Sequence, residues 1–233
     1  MIMRTFQYVL TAAAILASSA AWAQDKGTNS PWQKEFGISD CDLLVTGANS
    51  YLILEPGHQL VLEGNDTKVQ ITVLDETKTV DGVITRVVEE REWEDGELHE
   101  VSRNYFVICE QTKDVFYFGE DVDYYEDSKI INHDGTWLAG VNGNKPGLIM
   151  AGAPKPGMKY YQEIAPGTAM DRAEIVSLDE TCKVPAGTFP KCLKIKEGTA
   201  LNIFVKEYKY YAPGIGLIHD EDLVLTKHGF VSD

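Results

Sequence analysis

The sequence predicts an all-β protein, an antiparallel meander bent into a half-barrel or flattened open barrel with at most one short helix. Three observations predict it. Short runs rich in β-branched and aromatic residues fill most of the chain, turn residues interrupt them every 8–14 residues, and Asp-Gly twice separates two such runs, at Asp81-Gly82 and Asp95-Gly96. Asp-Gly supplies the positive φ values that a two-residue hairpin loop demands. Single β domains often reach this size, so residues 51–233 are read as one antiparallel β domain preceded by an irregular segment over 24–50.

The elements follow in order. Residues 1–23 read as a secretory signal, with Arg4 as the positive start, Val9 to Ala21 as the apolar stretch and Ala21-Trp22-Ala23 as the cleavage site. Thr11, Ser18 and Ser19 break the stretch, which argues against a membrane anchor, and Gln24 instead of Cys after the cut argues against a lipid anchor. Cleavage would leave 210 residues, and losing Arg4 leaves 20 basic against 36 acidic side chains, a formal charge of −16. Such acidity excludes nucleic acid and anionic lipid surfaces as partners, since both need Lys/Arg patches. The expected location is periplasmic or secreted, with no transmembrane segment after cleavage.

Asp25 to Pro31 is a polar leader, and Trp32 to Ser50 is irregular, with room for one short helix near Ser39 to Val45. Strands are predicted over His58–Glu63, Lys68–Val80, Val83–Glu94 and Glu97–Gln111. Taking Asp95-Gly96 as the loop places Arg91 opposite Glu100, Glu92 opposite His99 and Ile84 opposite Val107, a register that joins opposite charges and apolar pairs. Val115–Phe118 is a further strand, and Tyr124–Asn132 a hairpin around Asp127-Ser128. Gly140 to Gly157 is too rich in Gly and Pro for regular structure and is expected to close the open end of the sheet, as a binding lid or as a plain crossover. Met158–Ile164 is a strand, a long hairpin turns at Pro185-Ala186-Gly187-Thr188, Lys206–Tyr211 follows, and Gly216–His219 with Leu223–His228 ends the chain.

Four cysteines in an exported chain predict disulfides, with three pairings open. With Ala186-Gly187 as loop, Val184 faces Phe189, and Cys182 and Cys192 lie on opposite faces. A bulge at Pro190 instead sets the two cysteines opposite each other and Glu180 opposite Lys194. The local Cys182–Cys192 bridge is preferred, and Cys41–Cys109 would follow by elimination. No Cys-x-x-Cys spacing suggests zinc or redox chemistry.

Catalytic motifs are missing: there is no Gly-x-Ser-x-Gly, Ser-x-x-Lys, His-Glu-x-x-His or phosphate-cradling loop. For a hydrolase, only His133-Asp134 and Glu163 can be nominated as an acid/base pair. The run Glu120 to Asp127 offers a Ca²⁺ candidate at Asp121, Asp123 and Glu126, since alternate carboxylates share a face, although a solvated acidic surface is the simpler reading. Aromatic and apolar residues near the long loop offer a ligand candidate: Phe116, Phe118, Trp137, Met150, Tyr161, Tyr208 and Tyr210. Ordinary core is the simpler reading of that set.

VPAGTFPKCLKI followed by KEYKYYAPGIGLI, with DETKTVDGVITRVVEEREWEDGELHE and YFGEDV before them, resembles an uncharacterised family of exported bacterial β-rich proteins. In style these are loosely similar to the half-barrel lipoprotein-localisation factors, which shield acyl chains. The resemblance implies export and a β-rich fold and carries over no catalytic residue. The expected function is non-catalytic binding of an apolar or lipid-like molecule, or of an envelope protein. The alternatives are a Ca²⁺-binding exported protein, a structural envelope component or, last, a hydrolase.

Overall fold

The computed structural model describes residues 31–231, so the signal predicted over 1–23 lies outside the described residues. A 3-10 turn at Ile38–Asp40 is followed by strands β1 (Leu43–Leu44), β2 (His58–Gly64), β3 (Thr67–Val80), β4 (Val83–Glu94), β5 (Glu97–Cys109) and β6 (Val115–Glu126). Then come β7 (Lys129–Asn132), β8 (Trp137–Leu138), β9 (Lys145–Met150), β10 (Lys159–Tyr161) and β11 (Glu163–Ile164). The chain ends in β12 (Asp171–Val184), β13 (Gly187–Thr199), β14 (Glu207–Ala212), β15 (Gly216–Asp220) and β16 (Leu223–Phe230).

One antiparallel sheet holds all of them, in the order β10-β12-β13-β14-β15-β16-β2-β3-β4-β5-β6-β9-β11, with β1 paired to β5 and β7 and β8 paired to β6 off this path. The path curls into a nearly closed barrel, because β16 pairs with β2 and so joins the two ends of the chain. The predicted all-β antiparallel architecture is what the structure shows, closed further than a half-barrel. The remaining gap is a seam between β10 and β11, which the chain itself crosses at Gln162. Gln162 N–H donates to the Asp171 carbonyl at 2.8 Å, and Asp171 N–H donates to Glu163 Oε1 at 2.6 Å. Gln33 pairs with the free edge of β10, and Glu35 reaches Lys145 of β9 at 3.1 Å, so the segment before the 3-10 turn lies along the seam. Gly147 of β9 is required there, because a Cβ would run into the Gln162 carbonyl.

The turns fold as their residues dictate. Asp81-Gly82 and Asp95-Gly96 both take positive φ at both positions, and so does Asp127-Ser128. The registers beyond them depart from expectation. Glu94↔Glu97 and Trp93↔Leu98 pair as predicted, but a bulge at His99 then sets Glu92 against Glu100 and Arg91 against Val101. The Gly140–Gly157 stretch is no free lid: it contains β9, which pairs with β6 and β11 as part of the wall. β6 likewise runs on past Phe118 to Glu126.

The long hairpin turns on Pro185-Ala186, with Val184 opposite Gly187. The bulge predicted at Pro190 is present, but the turn comes one residue earlier than Ala186-Gly187, so Cys182 faces Phe189 and, beyond the bulge, Cys192 faces Glu180. Cys182 and Cys192 are therefore free thiols, a correction to the preferred pairing, although their side chains hydrogen-bond to each other. The disulfide is Cys41–Cys109, with Cα atoms 5.2 Å apart, and it ties the N-terminal segment to the end of β5 beside the β1 pairing. The core is continuous, with Leu54, Leu62, Leu193, Ile195, Ile218 and Leu225 essentially sealed from solvent.

Candidate functional site

Among the described residues, the packing inside the barrel leaves an apolar cavity of about 90 Å³. Leu60, Val73, Val88, Phe106, Ile149 and Leu217 form its walls, contributed by β2, β3, β4, β5, β9 and β15. These residues meet because alternate positions of neighbouring strands share a face, as in the opposed pair Val73↔Val88. The half-buried Leu52, Ile53 and Ile215 form its rim, and Tyr51 closes over it, held by Tyr51 Oη donating to the Lys191 carbonyl at 3.2 Å.

Few polar groups reach the cavity. Tyr117 Oη donates to Asn104 Oδ1 at 2.6 Å, and Asn104 Nδ2 donates to Ser102 Oγ at 3.2 Å. Burial, with the nearby His228, lowers the His58 pKa and keeps that ring neutral. Glu90 also lines the cavity, next to Ile71 across the strand pair. Burial raises its pKa, although the residue keeps some surface open.

Beside the cavity lies a buried polar cluster that a surface reading of the charges would not anticipate. Lys209 Nζ, 3% exposed, sits 3.2 Å from Glu197 Oε2, 3.2 Å from Asp220 Oδ2 and 3.8 Å from Glu207 Oε1. Gln162 Nε2 donates to Glu197 Oε1 at 2.8 Å, which links this cluster to the seam. Burial alone would lower the Lys209 ammonium; Asp220, Glu197 and Glu207 together reverse that and hold it well above its ordinary value. Burial pushes Glu207 up to about 7 against the pull of Lys209. Burial and the neighbouring Glu90 push Glu100 up to about 7, while a hydrogen bond from Tyr124 opposes the shift. Asp171 rises to about 6 by burial and the charge of Glu197, and Glu163 rises well above the usual range by burial and the charge of Asp171.

These shifts fix how stability depends on pH. Each carboxyl holds its proton more tightly folded than unfolded, so between about pH 4.5 and 7 the native state binds more protons and stability falls as pH rises. At the acid end, Asp121 works the other way: burial opposes ionisation, but hydrogen bonds from Lys78 and Tyr105 win, and its pKa is lowered. Its contribution is lost as pH falls through the carboxylate range. Urea unfolding should therefore show the protein more stable at pH 5 than at pH 7.5 by a few kcal/mol, on the order of 1.4 for each tenfold change in proton affinity. Equal stability at the two values, or a maximum at pH 7.5, would contradict the buried-carboxyl geometry.

The predicted site residues lie elsewhere, and none of the seven ligand candidates lines the cavity. Phe116, Phe118, Trp137 and Met150 are buried in the core, with Trp137 packed edge-on to Tyr117 at 5.1 Å. Tyr161 packs against Trp32 near the seam, and Tyr208 and Tyr210 lie under Lys194, the ammonium 4.6 and 5.3 Å from their rings. In β14 it is Glu207, Lys209 and Tyr211 that point inward; the tyrosines at 208 and 210 have the opposite parity. The Ca²⁺ candidates do not converge. Asp121 is held by Lys78 and Tyr105, each at 2.6 Å, Asp123 meets His133 at 2.7 Å, and Glu126 is exposed. Among the described residues no group of three or more His, Cys, Asp or Glu is arranged to hold a metal ion. The nominated hydrolase pair is divided, with Glu163 buried at the seam and His133 and Asp134 on the exposed β7–β8 turn.

Sequence reasoning missed the inward charges, although β4 gave a signal. Glu89-Glu90-Arg91-Glu92 puts charge on both faces of one strand, so a closed sheet must turn some of it inward. Among the described residues no helix is long and apolar enough to cross a membrane. Compared with known proteins, the chain matches no family model, no curated protein and no solved structure.

Proposed function

We propose that this is an exported, non-catalytic binding protein that takes the apolar part of a small ligand into the end of its barrel. The cavity carries the reading: a well-packed barrel keeps an apolar hollow with an accessible rim and a few polar groups placed to orient an occupant. Ligand pockets for drug-sized molecules span roughly 300–1,000 Å³, and a dry hollow of about 150 Å³ suffices for benzene. At about 90 Å³ this one suits a short hydrocarbon group or the tip of a longer chain, and leaves no room for a whole acyl chain. The Cys41–Cys109 disulfide is compatible with an oxidising compartment and supports export.

The test is a titration with n-butanol, followed by the methyl NMR signals of Leu60, Val73, Val88, Ile149 and Leu217. Protein for it is taken from periplasm or medium, where its first residue should be Gln24; recovery inside the cell with Met1 intact would overturn export. Saturable shifts confined to those methyls are expected, and a Val88→Phe variant that keeps its β circular-dichroism spectrum should lose them. Shifts that never saturate, or that survive the filling substitution, would overturn the binding reading.

A further inference from the structure

We infer that the occupant of the cavity is a small organic cation, a primary ammonium on a short hydrocarbon body, whose charged head pairs with Glu90. The inference rests on the binding reading above and adds the charge of the ligand to it.

The argument starts from what surrounds each buried carboxyl. One residue earlier on the same strand, on the opposite face, Glu89 is buried and meets Arg91 at 2.6 Å and Arg103 at 3.2 Å. Asp121 has Lys78 and Tyr105, Glu163 has the Asp171 N–H, Glu100 has Tyr124, and Glu197 has Lys209 and Gln162. Glu90 is the exception: it has no hydrogen-bond or ion-pair partner among the described residues, and it lines the hollow. A buried polar group without a partner is costly, and a buried charge more so.

Among the described residues no side chain pairs with it. No Lys or Arg lines the cavity, and His58, the one base on its wall, is kept neutral by burial. Lys209 is the described side-chain cation whose field reaches Glu90, but its ammonium is already engaged by three carboxylates. Among the described residues, the other charges acting on Glu90 are acidic, from Asp220 and Glu92, and Glu90 in turn acts on Glu100. The site thus combines apolar walls, a local excess of carboxylate and, in its lining, one carboxyl without a partner among the described residues. An anion would be repelled and a neutral hydrocarbon would leave Glu90 unsatisfied, whereas an alkylammonium fills the hollow with its chain and supplies both charge and N–H donors. The formal charge of −15 on the whole chain favours approach of such a ligand.

The experiment compares n-butylammonium, n-butanol and butyrate, which differ mainly in the head group, on the wild-type protein and on Glu90→Gln. Affinity is read from the cavity methyl signals in excess sodium chloride, so that loose attraction to the acidic surface is screened. Butylammonium should bind at least tenfold more tightly than butanol, and butyrate should not bind. Glu90→Gln should bring butylammonium down to the butanol level, and an unchanged β circular-dichroism spectrum shows that the variant is folded. If butanol binds and butylammonium binds no better, or if Glu90→Gln leaves the preference intact, the cation assignment is overturned and the binding reading stands. If neither the alcohol nor the ammonium reaches the cavity, the binding reading has failed and the inference with it.

Discussion

Replacing Lys209 by Met should cost about 3–5 kcal/mol at neutral pH, the usual effect of removing one partner from a buried ion pair. The ammonium touches three carboxylates in a space closed to solvent, so its loss leaves Glu197, Asp220 and Glu207 facing one another with no opposing charge. Those groups can escape by taking up protons, which requires a lower pH. The deficit should therefore shrink between pH 7.5 and pH 5, and Lys209→Met should sharpen the acid preference described for the wild type. Urea unfolding at both values tests it. A loss below about 1 kcal/mol at pH 7.5, the scale of an exposed pair, would mean that the cluster is hydrated and not sealed.

Removing the Cys41–Cys109 bridge is the second large effect expected. The bond closes a loop of 68 residues, and the chain-entropy estimate for a loop of that length is about 4 kcal/mol. A paired Cys41→Ser/Cys109→Ser variant should melt lower by roughly 8–16 °C, taking 2–4 °C per kcal/mol for a domain of this size. The local effect should be larger than the global one, because the bridge holds the segment that leads through β1 to Tyr51 and Leu54 at the end of the barrel. A variant whose melting temperature moves by less than 3 °C would show that β1 and the packing of that segment suffice without the covalent tie.

How much of this was legible in the sequence depends on the kind of interaction. Local turn chemistry was readable: Asp81-Gly82, Asp95-Gly96 and Asp127-Ser128 each need positive φ at both central positions, and each makes its hairpin. Register beyond a turn was readable only up to the first bulge. One inserted residue near His99 exchanges the expected Arg91–Glu100 pair for Glu92 opposite Glu100, and a turn at Pro185-Ala186 instead of Ala186-Gly187 parts the cysteines from the pairing assigned to them. Bulges are set by how a curved wall must bend, which is a property of the whole barrel. The candidate site was hidden for the same reason. Tyr208 and Tyr210 look like interior residues and Lys209 like a surface one, until strand parity in the closed sheet reverses them.

The pairing of β16 with β2 has a bearing on how the molecule is made. Residues 58–64 wait for residues 223–230 before the ring can shut, so no shorter length of nascent chain contains the finished wall. Contacts this far apart in sequence form late and slowly. A chain that stays pliable until its final strand emerges is well suited to being threaded through a narrow passage first and assembled on the other side.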